Sequence, residues 1–158
     1  MPYDISLDDD ELRRLTAAEH ISVLSSSNPD GSPHAVPIWP IPLADDLYVE
    51  TETVSRKARN LRTRPRFCLV MGLETWGPAA VLWGKAQEVT DPDVRRKIRE
   101  ITAIRYFGTT THPSFRNIER QYEEFGGASV FRLDVDRVAS WDYEKLSERD
   151  WILPGPPA

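Results

Sequence analysis

Cysteine is almost absent. Cys68 is the only thiol in 158 residues, so no internal disulfide can staple the chain. Its setting in the apolar run RFCLVMGL reads as a small buried residue of a strand and fits a reducing, cytoplasmic location. Histidine is scarce too: His20, His34 and His112 are scattered and have no cysteine cluster beside them, so no metal centre is expected. The eight glycines form neither a dinucleotide fingerprint nor a phosphate loop. There is no G-x-S-x-G nucleophile turn, and Ser25, Ser26 and Ser27 have no spacing that implies a triad. No apolar run approaches the roughly 20 residues that span a bilayer. The acidic start, MPYDISLDDDELRRL, has no leader character. Positive charge is not in surplus either: 25 acidic against 20 basic residues leave a net charge of −5. That removes the bulk electrostatic case for a nucleic-acid or membrane partner.

What the chain does have is the composition of one globular domain, 40% hydrophobic and 28% charged. A single domain over 1–158 is expected, with its core over about 11–143 and a proline-rich tail at 152–158. Residues 7–18 read as a helix with Leu7, Leu12 and Leu15 on one face. ISVLSSS (21–27) reads as a strand, and Asn28-Pro29-Asp30-Gly31 as a hairpin turn. PHAVPIWPIPL (33–43) is the return strand. Pro33, Pro37, Pro40 and Pro42 lack N–H donors, which confines it to a sheet edge with backbone groups left for a ligand or partner. LYVET (47–51) is a third strand and 55–63 a short helix capped by Ser55. RFCLVMGLE (66–74) and AAVLWGKAQEVT (79–90) are strands. Asp91-Pro92-Asp93 starts a helix bearing Val94, Ile98, Ile101 and Phe107. A second helix over about 114–125 carries Phe115, Ile118, Tyr122 and Phe125. ASVFRLDVD (128–136) and RVASWDY (137–143) end the core as two strands. With no alternating strand and helix units, a small antiparallel barrel is the expected architecture.

Charge is unevenly placed. Arg13 and Arg14 are the only strong bases among the first 54 residues. SRKARNLRTRPR (55–66) then carries Arg56, Lys57, Arg59, Arg62, Arg64 and Arg66 with no acid between them. Two cations in the first turn of a helix oppose its dipole, and the N–H groups there lack partners. An anion, above all a phosphate, resolves both problems, with Thr51, Thr53 and Ser55 as hydroxyl donors. The other reading is a solvated basic face. Trp39, beside open backbone in its proline-flanked strand, is the best placed of Trp39, Trp76 and Trp83 to stack on a planar ring; core packing is the alternative.

DGSPHAVPIWP, LYVETETVSRKARNLRTRPRFCLV and VLWGKAQEVTDPD together resemble the flavin-binding split-barrel proteins. These are the pyridoxamine 5′-phosphate oxidase-like superfamily, and the likeness is nearest to its deazaflavin (coenzyme F-420) branch. The resemblance implies a mainly β fold with helices, an antiparallel split barrel, acting as a homodimer with the cofactor at the subunit interface. It implies that Ser55, Arg56 and Lys57 hold the cofactor phosphate, that Thr51 and Asn60 belong to the same site, and that Pro37, Ile38 and Trp39 lie along the ring. A true pyridoxamine phosphate oxidase carries an arginine and a lysine on the second strand. Ala35 to Pro40 contains neither, so vitamin B6 oxidation is not expected.

The resulting expectation is an oxidoreductase moving hydride between a bound deazaflavin and a small organic substrate. FMN is the alternative cofactor, and a non-catalytic flavin- or haem-binding protein the alternative function. Arg59, Arg62, Arg64 and Arg66 favour the deazaflavin, whose phosphodiester and oligoglutamate tail need a basic groove, unless they form a solvated face. Residues 105–115 and the tail are the expected substrate wall. No catalytic residue is assigned; Tyr106, His34 and ordered water are the candidates for a proton donor.

Overall fold

The computed structural model describes residues 4–18, 21–72 and 76–146. Its elements run α1 (Asp9–Ala18), β1 (Ser22–Ser27), β2 (Pro33–Ile38), β3 (Ile41–Leu43), β4 (Asp46–Glu52), α2 (Arg56–Thr63), β5 (Arg66–Met71), β6 (Pro78–Glu88), α3 (Pro92–Phe107), α4 (Pro113–Glu124) and β7 (Ala128–Asp142), followed by a single 3-10 turn at Tyr143–Lys145. Seven antiparallel strands form one sheet in the order β2-β1-β5-β6-β7-β4-β3. The expected tail lies outside the described residues.

The sheet order corrects one expectation and explains the fold. Residues 33–43 are two strands, not one, and they occupy opposite edges of the sheet. Only Trp39 and Pro40 join them. Three Cα–Cα steps reach about 11 Å at most, whereas the edges of a flat seven-stranded sheet stand about 29 Å apart. The sheet must therefore curl until its edges meet, and the result is a barrel whose seam is the Trp39-Pro40 link. The prolines suit this place, since an edge strand leaves one side of its backbone unpaired. Pro40 is fully buried at the seam, and the Tyr106 hydroxyl donates to its carbonyl at 2.6 Å.

Strand alternation then divides the side chains into layers. Leu24, Leu47, Val49, Phe67, Leu69, Leu82, Phe131 and Leu133 fill the barrel. Tyr48, on the opposite face of β4 from Leu47 and Val49, joins Ile41, Ile98 and Val130 in a second core, where Val94 and Ile101 of α3 also pack. Cys68 is half-buried on the outer face of β5, alternating with buried Phe67 and Leu69, and not within the core as expected.

The Asp91 start signal acts as read, and the structure adds two caps that the sequence reading did not name, Gly108 and His112. Asp91 caps α3, accepting from the N–H groups of Asp93 and Val94, and Gly108 ends the helix at φ 77°. His112 caps α4, its Nδ1 accepting from Ser114 N–H at 3.1 Å. The two strands expected over 128–143 are a second correction. They are one 15-residue strand. Its bend is made by a bulge: Trp83 pairs with Arg137 and Gly84 with Val135, leaving Asp136 extra. Nothing in the residues there signals a turn, so the chain bends without leaving the sheet. Gly84 is required at this point, because a Cβ on it would lie 1.9 Å from the Asp134 carbonyl oxygen and 3.0 Å from Phe67. Gly84→Ala is expected to lower unfolding free energy by about 1–3 kcal/mol, measurable by urea denaturation.

Candidate cofactor cleft

The start of α2 has the chemistry of an anion site. Ser55 is its N-cap, with φ −63° and ψ 155°, and its Oγ accepts from Ala58 N–H at 3.3 Å. Thr51 Oγ1 lies 3.2 Å from Ser55 Oγ and donates to Glu52 Oε2 at 3.0 Å. Among the described residues, the backbone N–H groups of Arg56 and Lys57 find no acceptor, and Arg56, Lys57 and Arg59 form no ion pair. Two free donors and three cations without an ion pair on one helix form a set that a phosphate fits.

The rest of the basic run is spoken for. The Arg62 Nε and Nη2 donate to the two Glu88 oxygens at 2.7 Å each, and its Nη1 donates to the Thr53 carbonyl at 2.8 Å. This arrangement holds the Glu88 carboxyl below its ordinary range. Arg64 Nε donates to the Ser27 carbonyl at 2.9 Å and its Nη2 to Asn60 Oδ1 at 3.3 Å. Arg66 pairs with Asp136 at 2.5 Å.

Two depressions flank the helix start. A cleft of about 220 Å³ brings together Pro37, Ile38, Trp39, Thr51 and Lys57, five of the residues expected in the site, with Ile21, Glu50, Glu52 and Tyr122. A groove of about 780 Å³ is lined by Arg56, Arg59, Asn60, Arg62 and Arg64 of the basic segment and by the 28–32 turn. Arg56 and Lys57 are consecutive yet each lines a different one, so the helix start stands between them. Asn60 is buried, and its amide nitrogen donates to Ser26 Oγ at 3.2 Å and Asn28 Oδ1 at 3.1 Å. The structure gives it the task of tying α2 to β1. A third cavity, about 890 Å³ between α1 and the ends of β4 and β7, contains none of the expected residues.

Trp39 stacks on Tyr106 at 4.7 Å and 13°, and meets the edge of Phe107 at 5.5 Å. One of its faces is thus braced by α3, which brings part of the expected 105–115 wall to the cleft. Tyr106 itself is committed to the seam. His34 lies on the β2 edge, outside the cleft lining. Trp83 is covered by the Arg137 guanidinium at 3.8 Å.

Glu50, Glu52 and Tyr122 were not anticipated. Glu50 and Glu52 alternate with Thr51, so the strand period alone puts them on the face opposite the barrel interior; Tyr122 read as part of a helix's apolar stripe. The Glu50 side chain is 4% exposed, and its Oε1 accepts from Arg99 Nε at 2.8 Å and Nη2 at 2.6 Å. Burial raises its carboxyl above the ordinary range, with Arg99 opposing. Burial, with the Glu50 and Glu52 charges, also pushes the Tyr122 phenol far above its ordinary value.

The sequence profile of the pyridoxamine 5′-phosphate oxidase family matches residues 8–142. The chain belongs to that family. Its fold is shared with a conserved hypothetical protein from Mycobacterium tuberculosis (TM-score 0.76, 23% identity, 98% of this chain and 94% of that one). An FAD-binding protein from Mesorhizobium loti has a TM-score of 0.60 at 17% identity, over 85% of this chain and 94% of that one. The haem storage protein of Vibrio cholerae has a TM-score of 0.63 at 15% identity, over 85% and 93%. No curated protein matches in sequence. These likenesses show the fold, a curled antiparallel barrel. Among the described residues no helix is long and apolar enough to cross a membrane.

The Glu50–Arg99 pair yields a stability prediction. Arg99→Met strands a buried carboxylate and is expected to cost about 2–3 kcal/mol at pH 8. The unpaired carboxyl then binds its proton more tightly folded than unfolded, so the loss shrinks as pH falls through the raised folded pKa. Urea denaturation at pH 5 and pH 8 measures both effects.

Proposed function

We propose that this chain binds a flavin-type cofactor by its phosphate at the start of α2 and serves hydride transfer between that cofactor and a small organic substrate. The observation that carries the reading is the pairing at that helix start: two backbone N–H groups without acceptors beside three cations that form no ion pair among the described residues. When bound, the cofactor supplies the hydride chemistry. The protein's part is to bind and orient. Arg56 and Lys57 neutralise the phosphate, Ser55 caps the helix and can turn its hydroxyl proton from Thr51 to the phosphate, and residues 37–39 offer edge backbone to the ring, with Trp39 held rigid by Tyr106.

The groove supports coenzyme F-420 over FMN, though on fewer residues than the sequence suggests. Arg62 and Arg66 are neutralised by Glu88 and Asp136 and leave the argument. Arg59 and Arg64 stay, since both line the groove and neither is paired with a carboxylate. Beyond the phosphate position only the deazaflavin has an anionic tail to meet them. The Arg56→Ala, Lys57→Ala variant is expected to weaken coenzyme F-420 binding about a hundredfold or more, the loss of two charge-assisted contacts. Arg59→Ala should weaken coenzyme F-420 but not FMN, and Arg66→Ala neither. Fluorescence titration reads all of these. Wild-type affinity for FMN equal to or above that for coenzyme F-420 removes the deazaflavin preference.

A homodimer fits the same reading. Pro37, Val23, Val70, Val81 and Ala139 are register partners across five strands, and Ala35, Ser25, Cys68, Trp83 and Arg137 form the next row. Both rows alternate with buried core residues and so face away from the barrel interior. The cleft, at 220 Å³, is below the roughly 300 Å³ at which small-molecule sites begin. A second copy on this apolar face, whose first row ends at Pro37 of the cleft, would supply the missing wall. Val81→Asp is expected to yield monomers in sedimentation analysis and to weaken cofactor binding with them.

A further inference from the structure

Binding and orienting a cofactor leaves Glu50 unused. Its Oε1 takes both Arg99 hydrogen bonds, and its Oε2 has no partner among the described residues. A pair built only to tie β4 to α3 would engage both oxygens, as Arg62 does with Glu88. Nor is Oε2 sealed in protein: among the described residues the one buried side-chain oxygen without a partner is Ser22 Oγ. Glu50 lines the cleft, so its free oxygen opens there. Arg99 is itself fixed, its guanidinium 5.0 Å from the Tyr122 ring centroid and 3.8 Å from Glu119 Oε1. The result is a carboxyl with one oxygen locked and the other presented to the space beside Pro37, Ile38 and Trp39.

We propose that Glu50 is the acid–base residue of this cleft, carrying the proton that accompanies hydride transfer, with Arg99 as its positioning residue. This rests on the hydride-transfer reading above. In the reducing direction, the hydride and its electron pair pass from the reduced deazaflavin to the electron-poor carbon of a conjugated carbonyl. A C–H bond forms, the π pair shifts to the neighbouring atom, and that atom takes the proton from the Glu50 carboxyl. The substrate gains two electrons and the cofactor loses them. Glu50 is left as a carboxylate against Arg99 and regains a proton from water at the cleft mouth. In the opposite direction the same oxygen is the base.

The surroundings suit this role. Facing Glu50 are Arg99 and Arg95 from α3, Glu119 and Tyr122 from α4, Glu52 on its own strand and Lys57 from α2 across the cleft. Desolvation outweighs the arginines and lifts the carboxyl toward neutrality, where an acid is most useful. The Tyr122 phenol stays protonated and does not compete as a base.

The test uses full-length wild type, Glu50→Gln and Glu50→Asp. Coenzyme F-420 affinity is measured by fluorescence, single-turnover oxidation of the reduced cofactor by cyclohexenone and by menadione over pH 5–9, and the Glu50 carboxyl by carbon-13 NMR titration. The expected result is cofactor affinity within about twofold in Glu50→Gln and a rate lowered about 10²–10³-fold. The wild-type rate should fall with rising pH where the Glu50 resonance titrates, above the ordinary glutamate range, and this limb should vanish in Glu50→Gln. Glu50→Asp should keep the limb at a reduced rate, which separates lost chemistry from lost folding. Wild-type rate and pH profile in Glu50→Gln, with cofactor binding intact, would overturn the role of Glu50 alone, as would an ordinary titration of its carboxyl. Failure of the wild type to bind coenzyme F-420 and FMN, or to reduce either acceptor, overturns the hydride reading and the proton step with it.

Discussion

The two-residue link at Trp39-Pro40 sets the rest of the structure. Because it joins the two edges of one sheet, curling is not a preference of the sheet but a condition of chain connectivity. Once curled, β2 and β4, which only β3 separates in sequence, are brought near each other across the seam although four strands separate them in the sheet. The cleft is a product of this closure, with Pro37–Trp39 on one wall and Glu50–Glu52 and the start of α2 on the other. Its rigidity follows from the same place. Pro40 is buried, Tyr106 bonds its carbonyl, and the Tyr106 ring stacks on Trp39. One tyrosine of α3 thus holds both the seam and the wall beside it.

The parts of this arrangement legible in the sequence are those decided locally. Ser55 and Asp91 cap helices because a short polar side chain before a helical pattern acts over three residues. The prolines of 33–43 announced an edge, since a missing N–H is a property of the residue itself. Closure was not legible: whether a proline-rich segment is one edge or two depends on where both its ends pair, and that is settled by β1 and β4. The single long β7 was hidden for a related reason. A bulge needs no turn residue on its own strand, and the glycine that makes room for it, Gly84, sits on β6. At the site, Thr51, Ser55, Arg56 and Lys57 are close in sequence and could be read together. Glu50, Arg99 and Tyr122 come from three elements and meet only when the helix pair lies across β4.

Which charges matter could not be read from their density, only from their partners. Six cations crowd residues 55–66, and as a sequence they look equivalent. In the fold they separate. Arg62 and Arg66 are neutralised by Glu88 and Asp136, and Arg64 is anchored to neutral acceptors on Ser27 and Asn60, while Arg56, Lys57 and Arg59 have neither an ion pair nor a side-chain hydrogen bond among the described residues. A surface ion pair contributes little to stability, so satisfied arginines are ordinary structural features. Three cations without an ion pair beside free backbone donors concentrate positive charge at the helix start, where an external anion fits.

The same accounting applied to the acids isolates Glu50. Exposed carboxylates such as Asp10, Asp93 and Glu100 pair along their own helices and need no further reason. Glu50 is buried where desolvation works against its charge, and it engages Arg99 through one oxygen only. A strand position facing α3 and α4 would pack better with an apolar residue, as Tyr48 does two residues earlier on the same face. A buried ion pair is weak evidence of stabilisation. Its retention at this position, with one oxygen open to the cleft, is therefore better explained by what the open oxygen can do than by what the closed one holds.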